Sequence, residues 1–87
     1  MVAIDWEIVG YVKRSKNRLN ALKFLEKPMM PSELAQQMKL SLTHGSKVVR
    51  ELNSKKLIRC LNEELKVGRL YVVTTIGLKV LKKIKEL

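Results

Sequence analysis

Between positions 43 and 54 the chain places Thr43, Ser46, Lys47, Arg50 and Ser54 at helical spacing. Stepping 100° per residue from Thr43 gathers them into an arc from about 300° to about 40°. Leu42, Gly45, Val48, Val49 and Leu52 fall in the opposite arc, about 140° to 260°. One side can pack while the other presents hydroxyls and cations. Hydroxyls bond base edges or phosphate oxygens, and Lys and Arg reach guanine edges or phosphates. His44, beside them, can do the same. Glu51 is the single acid of the segment and lies off to the side, near 80°. This is the chemistry of recognition. For bond-making the sequence offers no nucleophile–base pair, no carboxylate cluster and no phosphate-binding glycine loop. His44 is the only histidine and Cys60 the only cysteine, too few and too distant for a metal site. No enzymatic activity, metal or cofactor is expected.

The charge agrees with that chemistry. Eighteen Lys and Arg stand against eight Asp and Glu, a net +10 over 87 residues. Residues 1–40 carry seven bases and four acids, residues 41–87 eleven bases and four acids. The excess is therefore +3 in the first part and +7 in the second. Such a balance favours polyanions. Double-stranded DNA is the first expected partner; an anionic membrane surface is a weaker one, because the basic last segment lacks aromatic anchors.

The length implies one domain, residues 1–87, with a modest core. A single cysteine excludes an internal disulfide and suits a reducing compartment. No run is long enough to span a bilayer. The opening "MVAIDWEIVGYV" has two acids and no basic lead, so it is not read as a secretory signal. A cytoplasmic location is expected.

The flanking elements must hold the polar side of 41–54 in place. Residues 1–14 read as an arm or short helix, with Ile4, Ile8, Val9 and Val12 at helical spacing and Gly10 weakening it. Ser15 caps a helix from Lys16 to about Glu26 that carries Leu19, Ala21, Leu22, Phe24 and Leu25. "KPMMP" breaks it, and Pro31 opens a short helix with Leu34, Ala35 and Met38 on one face. Ser41 caps the third helix. "LIRCLN" and "RLYVVT" read as antiparallel strands, with Cys60 a small apolar residue on the first and Gly68 in the left-handed position of the turn between them. A last helix, residues 75–87, carries an apolar stripe and Lys79, Lys82, Lys83 and Lys85. The expected fold is α+β, mainly α: a winged helix-turn-helix with a three-helix core, a β-hairpin wing and a C-terminal helix.

"SELAQQMKLSLTHGSKVVRELNSKKLI" and "GRLYVVTTIG" resemble archaeal winged-helix transcriptional regulators of the broad MarR/ArsR-like group, and the resemblance covers about Tyr11 to Leu81. It implies that Ser32 to Ala35 begin a positioning helix, that Leu42 to Leu52 form the recognition helix, and that Lys66 to Tyr71 form the wing and its return strand. Two residues depart from the pattern. Met30 stands where a Thr or Ser cap is usual, which implies a weaker helix start. Gly45 replaces a β-branched core residue, which implies a packing gap.

The expected DNA contacts are Thr43, His44, Ser46, Lys47, Arg50 and Ser54 on the recognition helix, and Lys66, Gly68 and Arg69 on the wing. Arg14, Lys16, Arg18 and Ser32 are expected on the flanking backbone. Trp6, Leu78, Leu81, Ile84 and Leu87 are the expected contacts of a homodimer, which suits palindromic sites. The expected function is sequence-specific transcriptional regulation. A winged helix can also dock proteins in a transcription or replication complex, or coat DNA without specificity.

Overall fold

The computed structural model describes residues 5–87; Ile4, expected on the first apolar face, lies outside the described residues. Of the arm or short helix expected at the start, the structure shows the helix, α1 (Trp6–Lys13), capped by Asp5, whose carboxylate accepts from the Glu7 N–H at 2.9 Å. Gly10 sits inside that helix and does not break it. Ser15 caps α2 (Lys16–Phe24), accepting from the Arg18 N–H at 3.3 Å. Pro31 opens α3 (Pro31–Gln37). The helix start at Met30 is not left weak. Glu33 reaches back and accepts the Met30 N–H at 3.0 Å, which supplies the other half of a capping box. Ser41 caps α4 (Leu42–Ser54), accepting from the His44 N–H at 3.1 Å.

The strands are shorter than the sequence pattern implied: β1 (Ile58–Cys60) and β2 (Tyr71–Val73), antiparallel, with Ile58 facing Val73 and Cys60 facing Tyr71. Met29 adds an edge to this hairpin by exchanging both backbone bonds with Tyr71, at 3.1 and 2.9 Å. Thr74 caps α5 (Thr75–Glu86), accepting from the Gly77 N–H at 3.1 Å while its hydroxyl donates to the Lys56 carbonyl at 2.8 Å. The result is the expected winged helix: a helical core, an antiparallel hairpin and a closing C-terminal helix. Among the described residues no helix is long and apolar enough to cross a membrane.

Every element except β2 supplies a buried residue to one apolar core, and β2 packs Tyr71 and Val73 against it. Val9 and Val12 come from α1, Ala21 and Leu22 from α2 with Leu25 just beyond it, and Leu34 and Ala35 from α3. Val48, Val49 and Leu52 come from α4, Leu57 and Ile58 from β1 and the residue before it, and Val80 from α5. No polar or charged residue is buried among the described residues. Two residues expected on apolar faces lie outside the core. Phe24 is the last residue of α2 and is exposed. Leu42 is 58% exposed, a correction to its placement on the packed side of α4. It is the first residue of α4, and there its neighbours are the small or polar Ser32, Ala35 and Gln36. Leu40 lines the same groove but leaves Leu42 more than half exposed.

Gly45 leaves no gap. It is buried where α4 crosses α3, and a Cβ on it would lie 2.6 Å from the Ala35 Cβ. The position is therefore an approach point, not a void. Gly77 plays the same part for α5, where a Cβ would collide with the Leu57 carbonyl oxygen. Gly10 differs, since a Cβ there meets nothing within 4 Å. These glycines predict opposite signs. Gly10→Ala should raise stability by up to about 1 kcal/mol through helix propensity. Gly45→Ala should lower it by about 1–3 kcal/mol, overpacking outweighing the same propensity gain. Urea unfolding of both variants decides this, and a Gly45→Ala protein more stable than the parent would remove the approach-point account.

Candidate nucleic-acid interface

The turn between α3 and α4 is tight. Lys39 takes up a left-handed conformation, φ 57°, and the Leu40 N–H returns to the Ala35 carbonyl at 2.9 Å. This fixes α4 on α3 with Val48, Val49 and Leu52 inward. Thr43, His44, Lys47, Arg50 and Ser54 are exposed and Ser46 half-buried. The structure thus brings the whole expected reading set to one outward side of a single helix. Ser54 differs from the rest: its hydroxyl donates to the Glu51 carbonyl at 2.7 Å, so its proton is already used within its own helix. The uncapped N–H groups of the first turn add a positive end to the same surface.

Arg18, expected on the DNA backbone, is placed elsewhere. One guanidinium nitrogen donates to the Tyr11 carbonyl at 3.0 Å, another to the Glu51 carboxylate at 3.1 Å, and the group lies 3.7 Å from the Tyr11 ring centroid. With both terminal nitrogens bonded, and only Nε buried without a partner, the mostly shielded side chain ties the helices together. The sequence held one hint: Arg18 occupies the third helical position after Ser15, where a capping box would carry Glu. Arg14 and Lys16 are exposed at the junction of α1 and α2, and Arg14 shares an open surface hollow with Trp6, Tyr11 and Lys55. Ser32 is exposed and shares a shallow groove with Leu42, so it does lie beside the start of α4.

The wing carries its own framework. Asn62 donates to the Gly68 carbonyl at 3.1 Å and accepts from the Leu70 N–H at 2.8 Å and from the Cys60 thiol at 3.4 Å. Gly68 is left-handed, φ 75°, as its place in the turn required. Arg69, expected to reach DNA, donates instead to the carbonyls of Leu65 at 2.6 Å and Glu63 at 3.2 Å. Lys66, also exposed, stands beside Val67 at 86% exposure and makes no such backbone bond among the described residues. Asn62 was not singled out from the sequence. Its signal was a side-chain amide in a turn, a residue type that bonds nearby backbone.

The expected dimer set divides. Trp6 and Leu87 are well exposed and Leu78 partly so, whereas Leu81 and Ile84 pack against the chain's own core. Lys83 covers one face of Trp6, its Nζ 5.3 Å from the ring centroid. Leu78 lies in a groove between α2 and α5 rimmed by Lys23, Lys82 and Lys85.

Replacing Asn62 by Ala should free the wing locally. Amide exchange at Leu70 is expected to accelerate at least about tenfold while the global unfolding midpoint hardly moves, because the core is untouched. Unchanged Leu70 protection would show that the strand pair alone holds the wing.

No protein-family model matches this sequence, and no curated protein matches it. Solved structures do share its fold. TubR from Bacillus thuringiensis serovar israelensis pBtoxis, bound to 24 bp of tubC, superposes with a TM-score of 0.80 at 13% identity, over 99% of this chain and 96% of that one. A cysteine variant of MarR from E. coli, complexed with operator DNA, gives 0.77 at 21% identity, over 93% and 60%. RV1404 from Mycobacterium tuberculosis gives 0.75 at 19%, over 90% and 57%. The chain thus spans less than two thirds of the MarR and RV1404 chains and nearly all of TubR. At these identities the likeness establishes the fold.

Proposed function

We propose that this chain is a sequence-specific double-stranded DNA-binding transcriptional regulator that acts in the cytoplasm as a homodimer. The observation that carries the proposal is α4: a helix packed by one side, with Thr43, His44, Lys47 and Arg50 outward and its single acid held by Arg18. A helix of this kind fits the major groove, and its N-terminal half reads base edges. Lys66 and the wing backbone at Gly68 grip the adjacent phosphates, with Arg14, Lys16 and Ser32 at the flank. Two of the structures that share the fold are held on DNA, which supports the same reading. So does the net +10. No bond is made or broken; regulation is by occupancy of the site.

Fluorescence anisotropy with duplex from the protein's own upstream region, beside scrambled duplex, tests this. Tight binding with a margin over the scrambled sequence is expected. Replacing Lys47 and Arg50 together by Ala should weaken it by about a hundredfold and lower the salt slope by about 0.9 for each phosphate lost, with the fold intact. Undiminished affinity in that variant would overturn the assignment of α4. Equal binding to both duplexes would mean a DNA-coating role.

One observation favours a second reading. Leu61, Leu65 and Val67 are exposed along a wing whose two acids balance its two bases, and such a tip suits a protein partner. A stoichiometric complex without DNA affinity at moderate salt would favour that docking module.

The dimer is read from Trp6 and Leu87, large apolar side chains more than half exposed on α1 and just after α5. Sedimentation is expected to give twice the 10.0 kDa chain mass. Trp6→Asp with Leu87→Asp should return it to a monomer and weaken binding to a two-fold site. A parent that sediments as a monomer at micromolar concentration would remove this part of the proposal.

A further inference from the structure

We propose that Arg18 is a positioning residue for DNA binding: it ties α4 to α1 and keeps Glu51 from capturing the cations of the reading face. The functional half of the proposal rests on the DNA-binding reading above. Among the described residues, Arg18–Glu51 is the only ion pair that joins two elements; the other, Lys83–Glu86, lies within α5. Both side chains are largely shielded, at 21% and 27% exposure. The guanidinium bonds the Tyr11 carbonyl in α1 and the Glu51 carboxylate in α4 and lies over the Tyr11 ring. A planar fork can do all three at once; an ammonium cannot.

The position of Glu51 gives the tie its consequence. Glu51 lies four residues from Lys47 and four from Lys55, the spacing at which side chains on one helix pair. Lys55 is drawn toward the Tyr11 ring, its Nζ 5.2 Å from the centroid. Lys47 stands exposed on the reading face. Without Arg18, the carboxylate would have two exposed lysines at pairing distance, Lys47 and Lys55, of which Lys47 is on the reading face. The carboxylate would then compete with phosphate for that cation and add a negative charge beside the DNA. Arg18 therefore acts on DNA through Glu51, without touching DNA.

A double-mutant cycle separates this from direct contact. Arg18→Met keeps the aliphatic stem over Tyr11 and removes the charge; Glu51→Ala removes the carboxylate. Affinity for the upstream duplex is measured for the parent, both single variants and the double variant, at a temperature where each is folded. Arg18→Met is expected to weaken binding about tenfold in the parent and to have almost no effect in the Glu51→Ala background. An equal loss in both backgrounds would mean that Arg18 meets the duplex itself, and would overturn the proposal. The same four proteins, melted without DNA, give a second cycle. Coupled shifts in midpoint are expected, and additive ones would overturn the tie. Should the parent bind no duplex, the DNA-binding reading fails, while the melting cycle still decides whether Arg18 holds α4.

Discussion

The contact between Gly45 and Ala35 governs how the reading helix sits. Two helices joined by so short a turn must cross close, and the backbones can meet only where the facing side chains are minimal. At this crossing one partner has no side chain and the other a single methyl. A larger residue at either position would lift α4 off α3 and rotate its outer side. The same device recurs where α5 crosses the start of β1, with Gly77 against the Leu57 carbonyl. Small residues thus set both close approaches that frame the hairpin. The large apolar residues Leu22, Leu25, Leu34, Leu52 and Leu57 fill the space those approaches define. Stability comes from that filling, and geometry comes from what is missing at positions 45 and 77.

Much of this was legible in the sequence because it depends on local rules. Helical periodicity placed Val48, Val49 and Leu52 inward and Lys47 and Arg50 outward. Ser15, Ser41 and Thr74 act as the caps that their residue types favour, and Gly68 takes the left-handed turn position. What was not legible depends on partners distant in sequence. Gly45 read as a gap because Ala35 could not be seen opposite it. Arg18 read as a surface cation because nothing in the sequence announced that Glu51, thirty-three positions away, would come within 3.1 Å. Arg69 read as a DNA contact because its bonds are to backbone carbonyls, which leave no trace in residue type. Leu42 read as packed because periodicity gives direction and not reach.

Arg18 and Arg69, both expected on the DNA, share a feature. Each satisfies carbonyl oxygens that a tight junction leaves exposed: Tyr11 in the last turn of α1, and Glu63 and Leu65 in the wing. A guanidinium can do this because its donors are spread over a rigid plane. An ammonium concentrates its donors on one nitrogen, and Lys47, Lys66, Lys82 and Lys85 are left outward. In this chain arginine serves joints as well as surfaces.

That division bears on specificity. A charge of +10 attracts any polyanion, and the attraction carries no sequence information. Discrimination needs side chains held in one register while the duplex is tested against them. The described structure concentrates its fixed geometry there: a crossing with no slack at Gly45, an ion pair that keeps the lone acid of α4 off the reading side, and a wing braced from within by Asn62 and Arg69. Under the proposed function the diffuse lysine charge would bring the duplex to the protein, and the braced helix and wing would determine which duplex stays.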